Sequence, residues 1–279
     1  MEEKKNEEMH QLQLQFFTNI SHEFRTPLTL ILGTVEQMSL NKAERGRKEY
    51  INILSKNAQR LMRLVNELMD FRKAETGSFH LIVQEKYIND YLEMITNEFH
   101  SLAQTNEIHF EIYMDKQYEK VWFDPQLIEK IFLNLLNNAF KYTKKGGCIE
   151  VKVLSEIKRY KSAFANSYTI DSGFNGNKYF YICIKDDGIG ISKDSIDKVF
   201  NRYYQIEDSE HDPHLGSGVG LALVKSLILL HKGRLTVYSE RDKGSEFIVA
   251  IPCEYNDYLE EERTLISPVS YTHLRAHET

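Results

Sequence analysis

Apolar residues recur along the first part of the chain in steps of three and four: Leu14, Phe17, Phe24, Leu28, Ile31, Val35 and Met38, with Ser21 in the one polar place. A second run follows a short polar break at residues 41–46 and passes through Ile51, Leu54, Ala58, Leu61, Val65 and Leu68. Sustained three-four spacing predicts two helices that share a coiled-coil-like seam. Two antiparallel helices bury little surface by themselves. Pairing with a second copy into a four-helix bundle would cover the seam; the alternative is an amphipathic hairpin packed on its own globular domain.

Past Glu75-Thr76-Gly77 the period changes. Residues 80–84, 108–113, 120–123, 148–154, 179–185, 234–239 and 246–251 read as strands, and residues 89–103, 125–142 and 219–231 as helices. Asp124-Pro125 supplies an N-cap acid followed by proline at the first helical position. Residues 155–178 are polar and are expected to form a hairpin extension or a mobile loop. Strands and helices mixed without regular alternation predict an α+β fold, in which the helical hairpin precedes an α/β sandwich with helices on one face of a sheet. The expected divisions are residues 1–76 for the hairpin, 77–254 for the sandwich, and 255–279 for a linker and tail. The last stretch, from residue 267, changes character and fits neither half.

Composition adds exclusions. The 279 residues are 42% hydrophobic and 27% charged, which is ordinary for a folded domain and argues against disorder. The formal charge of -6 gives no support for nucleic-acid binding, which usually shows a basic patch. No run approaches ~20 uninterrupted apolar residues, so no membrane contact is expected of this region. The charged start lacks the apolar core of a signal peptide and reads as helix entering from an upstream segment. Cys148, Cys183 and Cys253 lie far apart, without paired-ligand spacing, and fit reduced thiols in a reducing compartment.

Candidate chemistry falls in both halves. In the first helix, Ser21-His22-Glu23-Phe24-Arg25-Thr26-Pro27-Leu28 sets His22 and Thr26 one turn apart on a common face, with Glu23 adjacent. Pro27 removes one helical hydrogen bond and is expected to bend the helix. A lone helical histidine is usually incidental, and ten occur here; His211 and His214 lack further metal ligands. On the helix after Asp124, Lys130, Asn134, Asn137, Asn138 and Lys141 form one polar stripe. An exposed solvated face would explain it, but asparagine is a poor helix former. Amides and cations suit phosphate oxygens and a hydrated Mg²⁺ better. Asp186-Asp187-Gly188-Ile189-Gly190 ends a strand, and Gly216-Ser217-Gly218-Val219-Gly220 opens a helix whose N-terminus can receive an anion. The second motif lacks the lysine of a Walker A loop and lies too late for a dinucleotide-binding unit.

Taken in order, these segments resemble the histidine kinases over nearly the whole chain, from residue 11 to 253. Phe17 through Leu28 resembles the phosphoacceptor motif of that family, and Asn134-Leu135-Leu136-Asn137-Asn138-Ala139-Phe140-Lys141-Tyr142-Thr143 resembles its asparagine box. Asp186 to Gly190, Phe200-Asn201-Arg202-Tyr203-Tyr204 and Gly216 to Gly220 resemble its first glycine, phenylalanine and second glycine boxes. The first segment is most similar to hybrid sensor kinases of gut Bacteroidetes.

The resemblance implies a Bergerat-type ATP fold. Asp186 would hydrogen-bond the adenine amino group, and Gly188 and Gly190 would shape the base pocket. Asn138 would ligate Mg²⁺ with support from Asn134, and Lys141 and Tyr142 would contact phosphates. Gly216, Gly218 and Gly220 would let a lid at residues 200–217 fold over the triphosphate. Gln205 follows Tyr204, where many relatives place an arginine. The implied function is ATP-dependent phosphorylation of His22, with Glu23 as general base. Transfer to an aspartate of a response-regulator receiver domain would follow, either in trans or on a C-terminal part beyond this chain. Thr26 would assist removal of phosphate from that receiver. The implied form is a homodimer, the cytoplasmic portion of an inner-membrane sensor. Two rivals remain at this level: an ATPase that uses nucleotide only to change shape, and a non-catalytic dimerisation module.

Overall fold

The computed structural model describes residues 2–40, 47–115, 120–157, 160–206 and 218–263. Helix α1 (Glu2–Leu40) and helix α2 (Arg47–Glu75) form the predicted hairpin. Pro27 lies inside α1, which continues through it. The Thr26 hydroxyl donates to the His22 carbonyl at 3.2 Å, one of several serine and threonine back-bonds along this helix. Helix α2 ends in a left-handed cap. Gly77 takes φ +64°, and the amides of Thr76 and Ser78 return to the carbonyls of Arg72 and Lys73.

The predicted seam is largely uncovered within one chain. Leu14, Phe17, Leu28, Val35, Ile51 and Val65 are all exposed. Phe16 and Ile20, off the three-four register, are buried instead, because they face the α/β half.

That half begins with strand β1 (Gln84–Lys86) and helix α3 (Ile88–Asn106). Strands β2 (His109–Met114) and β3 (Val121–Phe123), helix α4 (Pro125–Tyr142) and strand β4 (Cys148–Leu154) follow. Strands β5 (Asn166–Asp171) and β6 (Tyr179–Asp186), helix α5 (Gly220–Leu230), and strands β7 (Arg234–Glu240) and β8 (Gly244–Pro252) complete it. Strands β1 and β3 pair in a small two-stranded sheet. The main sheet has the order β2-β4-β6-β8-β7-β5, with β2 and β4 parallel and every other pair antiparallel. Apolar stripes of α3, α4 and α5 meet one sheet face in a single core that includes Phe123, Phe132, Leu136, Ile182, Ile184, Val224, Val237 and Val249. The architecture is the expected helical hairpin followed by an α/β sandwich.

Two features differ from the expected pattern. Residues 155–178, expected to form a hairpin extension or loop, contain β5, which pairs with β7 at the far edge of the sheet. Between β4 and β5 the chain crosses the sheet face away from the helices, and Tyr160 hydrogen-bonds the buried carboxylate of Glu246 on β8. Every residue of β8 is buried as a result of cover on both faces. Residues 255–263, assigned by sequence to a linker, pack on the sandwich. Tyr258 is buried, and Val83 bridges Arg263 beside the start of β1. The part of the tail from 264 onward and the predicted break at 41–46 lie outside the described residues.

Candidate functional site

Helix α4 carries the polar stripe, and its N-terminus is unusually well tied. Asp124 caps it, accepting from the Leu127 amide at 3.1 Å through one oxygen and from the Ile82 amide at 2.7 Å through the other. The Asp124 amide donates to Nε2 of His231 at 2.9 Å. His231 is fully buried, and burial pushes its pKa down to about 4, so the ring is neutral. With Nε2 accepting, Nδ1 carries the proton and donates to the Tyr258 hydroxyl, which donates onward to the Pro252 carbonyl. The stripe therefore starts from a helix end clamped by α5, β8 and the segment after β8.

Below that stripe lies a cavity of about 290 Å³. One wall is α4, with Asn134, Asn137, Asn138, Lys141 and Tyr142. The floor is the end of β6 and the loop after it, with Asp186, Ile189, Gly190 and Ile191, backed by Ser245 and Phe247 of β8. Val199, Tyr204, Gln205, Ile206, Gly218, Gly220 and Leu221 close the far side, and Glu67 of α2 adds the hairpin's contribution.

Each wall has a local cause. Asn134 donates its amide hydrogen to the Lys130 carbonyl at 2.7 Å, which leaves its oxygen turned outward. A Cβ at Gly220 would sit 2.8 Å from that oxygen, so glycine permits α5 to begin close against α4. At Gly190, φ is +62° and a Cβ would meet the Glu240 carbonyl oxygen at 2.0 Å, so no other residue fits. Gly188 lies beside the lining, where its amide donates to Asp186 Oδ1 at 3.0 Å.

Asp186 is buried, and burial drives its pKa up to about 7. The amides of Gly188 and Ser245 oppose that rise, and Asp187 reinforces it. Burial also raises the Tyr142 hydroxyl, while Lys141 stands 5.2 Å from the centre of the Tyr142 ring. Such a pocket pairs an apolar slot holding the Asp186 carboxyl with a row of amides and a cation, which suits a purine at one end and phosphates at the other, with the Glu67 carboxyl added by the hairpin.

The hairpin docks against this half beside the cavity. Phe16, Ile20 and Phe71 pack with Val219 and Tyr203, and the Phe16 and Tyr203 ring centres are 4.6 Å apart. Tyr203 donates to Glu75 at 3.2 Å, Arg202 pairs with the same carboxylate, and Asn19 donates to Gln205 at 3.2 Å. Lys130 forms an ion pair with Asp70. Gln205, which replaces the expected arginine, thus touches both the cavity and α1.

His22 is exposed on α1, Glu23 is half-buried and Thr26 exposed, and none of the three lines the cavity. Of the remaining predicted residues, Asn134, Asn138, Lys141, Tyr142, Asp186, Gly190, Gly218 and Gly220 line it. Gly216, His211 and His214 lie outside the described residues. Sequence reasoning missed Glu67, Ser245 and Phe247 as members of the wall. The β8 pair follows from the alternation of a strand next to β6. Nothing in the local pattern of α2 marks Glu67.

Residues 12–77 match the His Kinase A (phospho-acceptor) domain, and residues 123–255 match the histidine kinase-, DNA gyrase B- and HSP90-like ATPase. The chain belongs to the histidine kinase family. Histidine kinase P4 of Formosa agariphila is 36% identical over 256 residues, which is 90% of this chain and 17% of the relative. Full-length ShkA in complex with AMPPNP matches this histidine kinase chain with a TM-score of 0.59 at 23% identity, over 86% of this chain and 45% of that one. Histidine kinase ThkA in complex with response regulator protein TrrA gives a TM-score of 0.54 at 20% identity, over 91% and 65% of the two chains. At those identities the two structures speak for the fold alone. The chain spans about a sixth of the length of the curated relatives it matches first. Among the described residues, no helix of this family member is long and apolar enough to cross a membrane.

Proposed function

We propose that this chain is an ATP-dependent protein histidine kinase that phosphorylates its own His22 and passes the phosphate to an aspartate of a response-regulator receiver domain. The observation that carries the proposal is the conjunction of two parts. A purine-and-phosphate cavity lies between α4 and the end of β6, and the hairpin docked beside it bears an exposed histidine with an adjacent carboxylate. Residues 1–76 would form the phosphoacceptor half and residues 77–254 the catalytic half.

Asp186 accepts a hydrogen bond from the adenine amino group, and Ile189, Ile191 and Phe247 cover the base. Lys141 and Tyr142 hold phosphate oxygens. The oxygen donors of Asn138 and Asn134 fit a hard cation such as Mg²⁺, which takes few protein ligands and completes its shell from phosphates and water. The ion, when bound, neutralises charge on the phosphates.

In the transfer step a ring nitrogen of His22 attacks the γ-phosphorus, a P–N bond forms, and the P–O bond to ADP breaks. The other ring nitrogen loses its proton to Glu23. The docked hairpin presents Glu67 rather than His22 to the cavity, so transfer to the His22 of the same subunit requires the catalytic half to shift along α1. Such a shift would break the hydrogen bonds of Asn19 and Glu75, the Lys130–Asp70 pair and the packing of Phe16 and Phe71 on Tyr203. The exposed seam supports a homodimer. Thr26, one turn from His22, is a candidate for positioning water during receiver dephosphorylation. The chain would work as the cytoplasmic portion of an inner-membrane sensor.

Incubation with γ-labelled ATP and Mg²⁺ tests the central step. Label that is acid-labile and absent from His22→Ala, while that variant still binds nucleotide, is the expected result. Hydrolysis without protein label would point to an ATPase that only changes shape, and absence of nucleotide binding would leave a dimerisation module.

A further inference from the structure

Glu67 is the hairpin side chain that reaches the nucleotide cavity. Its position follows from the docking of α2. Asp70 is paired with Lys130, Phe71 is buried against Tyr203, and Glu75 is bonded to Arg202 and Tyr203. Residues 67, 70, 71, 74 and 75 recur at helical spacing, so these anchors aim Glu67 at the same face of the catalytic half. The end of the cavity it reaches is the polar one. Lys130 lies one turn before Asn134 on the stripe, and Lys141 at the other end is among the charges that act on Glu67. Glu23 of α1 and Arg63 and Asp70 of α2 are the other charged groups near it. The side chain is exposed, at the mouth of the cavity in the cleft between the two halves.

We propose that Glu67 is a nucleotide-sensing residue, a carboxylate that docking of the hairpin inserts at the phosphate end of the cavity, so that hairpin docking and triphosphate binding oppose one another. The inference rests on the ATP-site reading above. Like charges brought within a few ångströms of one another repel even where solvent screens them in part. The carboxylate and the phosphates would also draw on the same cation, Lys141. Reciprocity then requires that nucleotide weaken docking by the factor by which docking weakens nucleotide. The repulsion grows with phosphate charge, so ATP should release the hairpin more than ADP does.

The test is calorimetric titration of the full chain with a non-hydrolysable ATP analogue and with ADP, both at fixed Mg²⁺. Wild type, Glu67→Gln, Phe16→Ala and the double variant are compared. Phe16 is outside the cavity and its loss loosens docking; Asn19→Ala, which removes the bond to Gln205, serves if Phe16→Ala does not fold. Glu67→Gln should tighten the analogue by about 5-fold or more, within the usual range of coupling between sites, and ADP by less. In the loosened background the same substitution should change little. Unchanged or weaker binding in Glu67→Gln overturns the inference, as does equal tightening in both backgrounds. A wild-type chain that binds neither ligand overturns the ATP-site reading itself.

Discussion

At the scale of single residues, burial shifts the acidity of Asp186 in the cavity and of His231 behind the cap of α4 in opposite directions. Asp186 has its pKa raised to about 7 by burial, against an ordinary value of 3.8. The unfolded chain therefore loses its proton before the folded one does, and this residue's contribution to stability falls as pH rises from about 4 to about 7. Asp186→Asn removes that penalty. Its melting temperature should exceed that of wild type at pH 8 and converge with it near pH 4, while nucleotide binding is lost; thermal melts across that range check both. His231 has its pKa lowered to about 4 from 6.5, so its contribution is present above pH 6.5 and lost as pH falls towards 4. Asp186 and the asparagine stripe were legible in the sequence, because a strand-ending acid beside glycines and a run of poor helix formers need an explanation. His231 was not, since a buried neutral histidine looks in sequence like any other.

Elements show the same division. Asp124-Pro125 announced the start of α4, and the structure places the cap there, since the capping signal is local. Strand β5 was hidden. Its residues, Asn166-Ser167-Tyr168-Thr169-Ile170-Asp171, alternate weakly, and their pairing with β7 depends on a crossing of the sheet that no local pattern encodes. Phe16 and Ile20 escaped for a related reason: they serve the contact between halves, not the seam that sets the hairpin's period. The segment after β8 was also unread, because its value lies in a long-range chain from Tyr258 through His231 to the cap of α4. Tyr258→Phe leaves the buried Nδ1–H of His231 without an acceptor, which costs about 1–3 kcal/mol. Denaturant titration should show that loss, and nucleotide affinity should weaken with it if the clamp steadies the stripe.

For the molecule as a whole, the exposed apolar rows of α1 and α2 call for a partner of matching shape, and a second hairpin supplies one. Replacing Leu28 and Val35, 49% and 50% exposed in a single chain, with aspartate should yield a folded monomer. Light scattering coupled to size exclusion measures the mass, and retained binding of a nucleotide analogue shows that the catalytic half is intact. The junction between the halves has a mechanical consequence. Val83, near the entrance to the sandwich, donates its amide to the Glu262 carbonyl at 2.7 Å, so the last described residues are tied beside the first of the sandwich. A body that swings about a pivot displaces its points in proportion to their distance from the axis. If the catalytic half swings about the Gly77 cap, Arg202 and Tyr203, bonded to Glu75 just before it, lie near the hub and travel least.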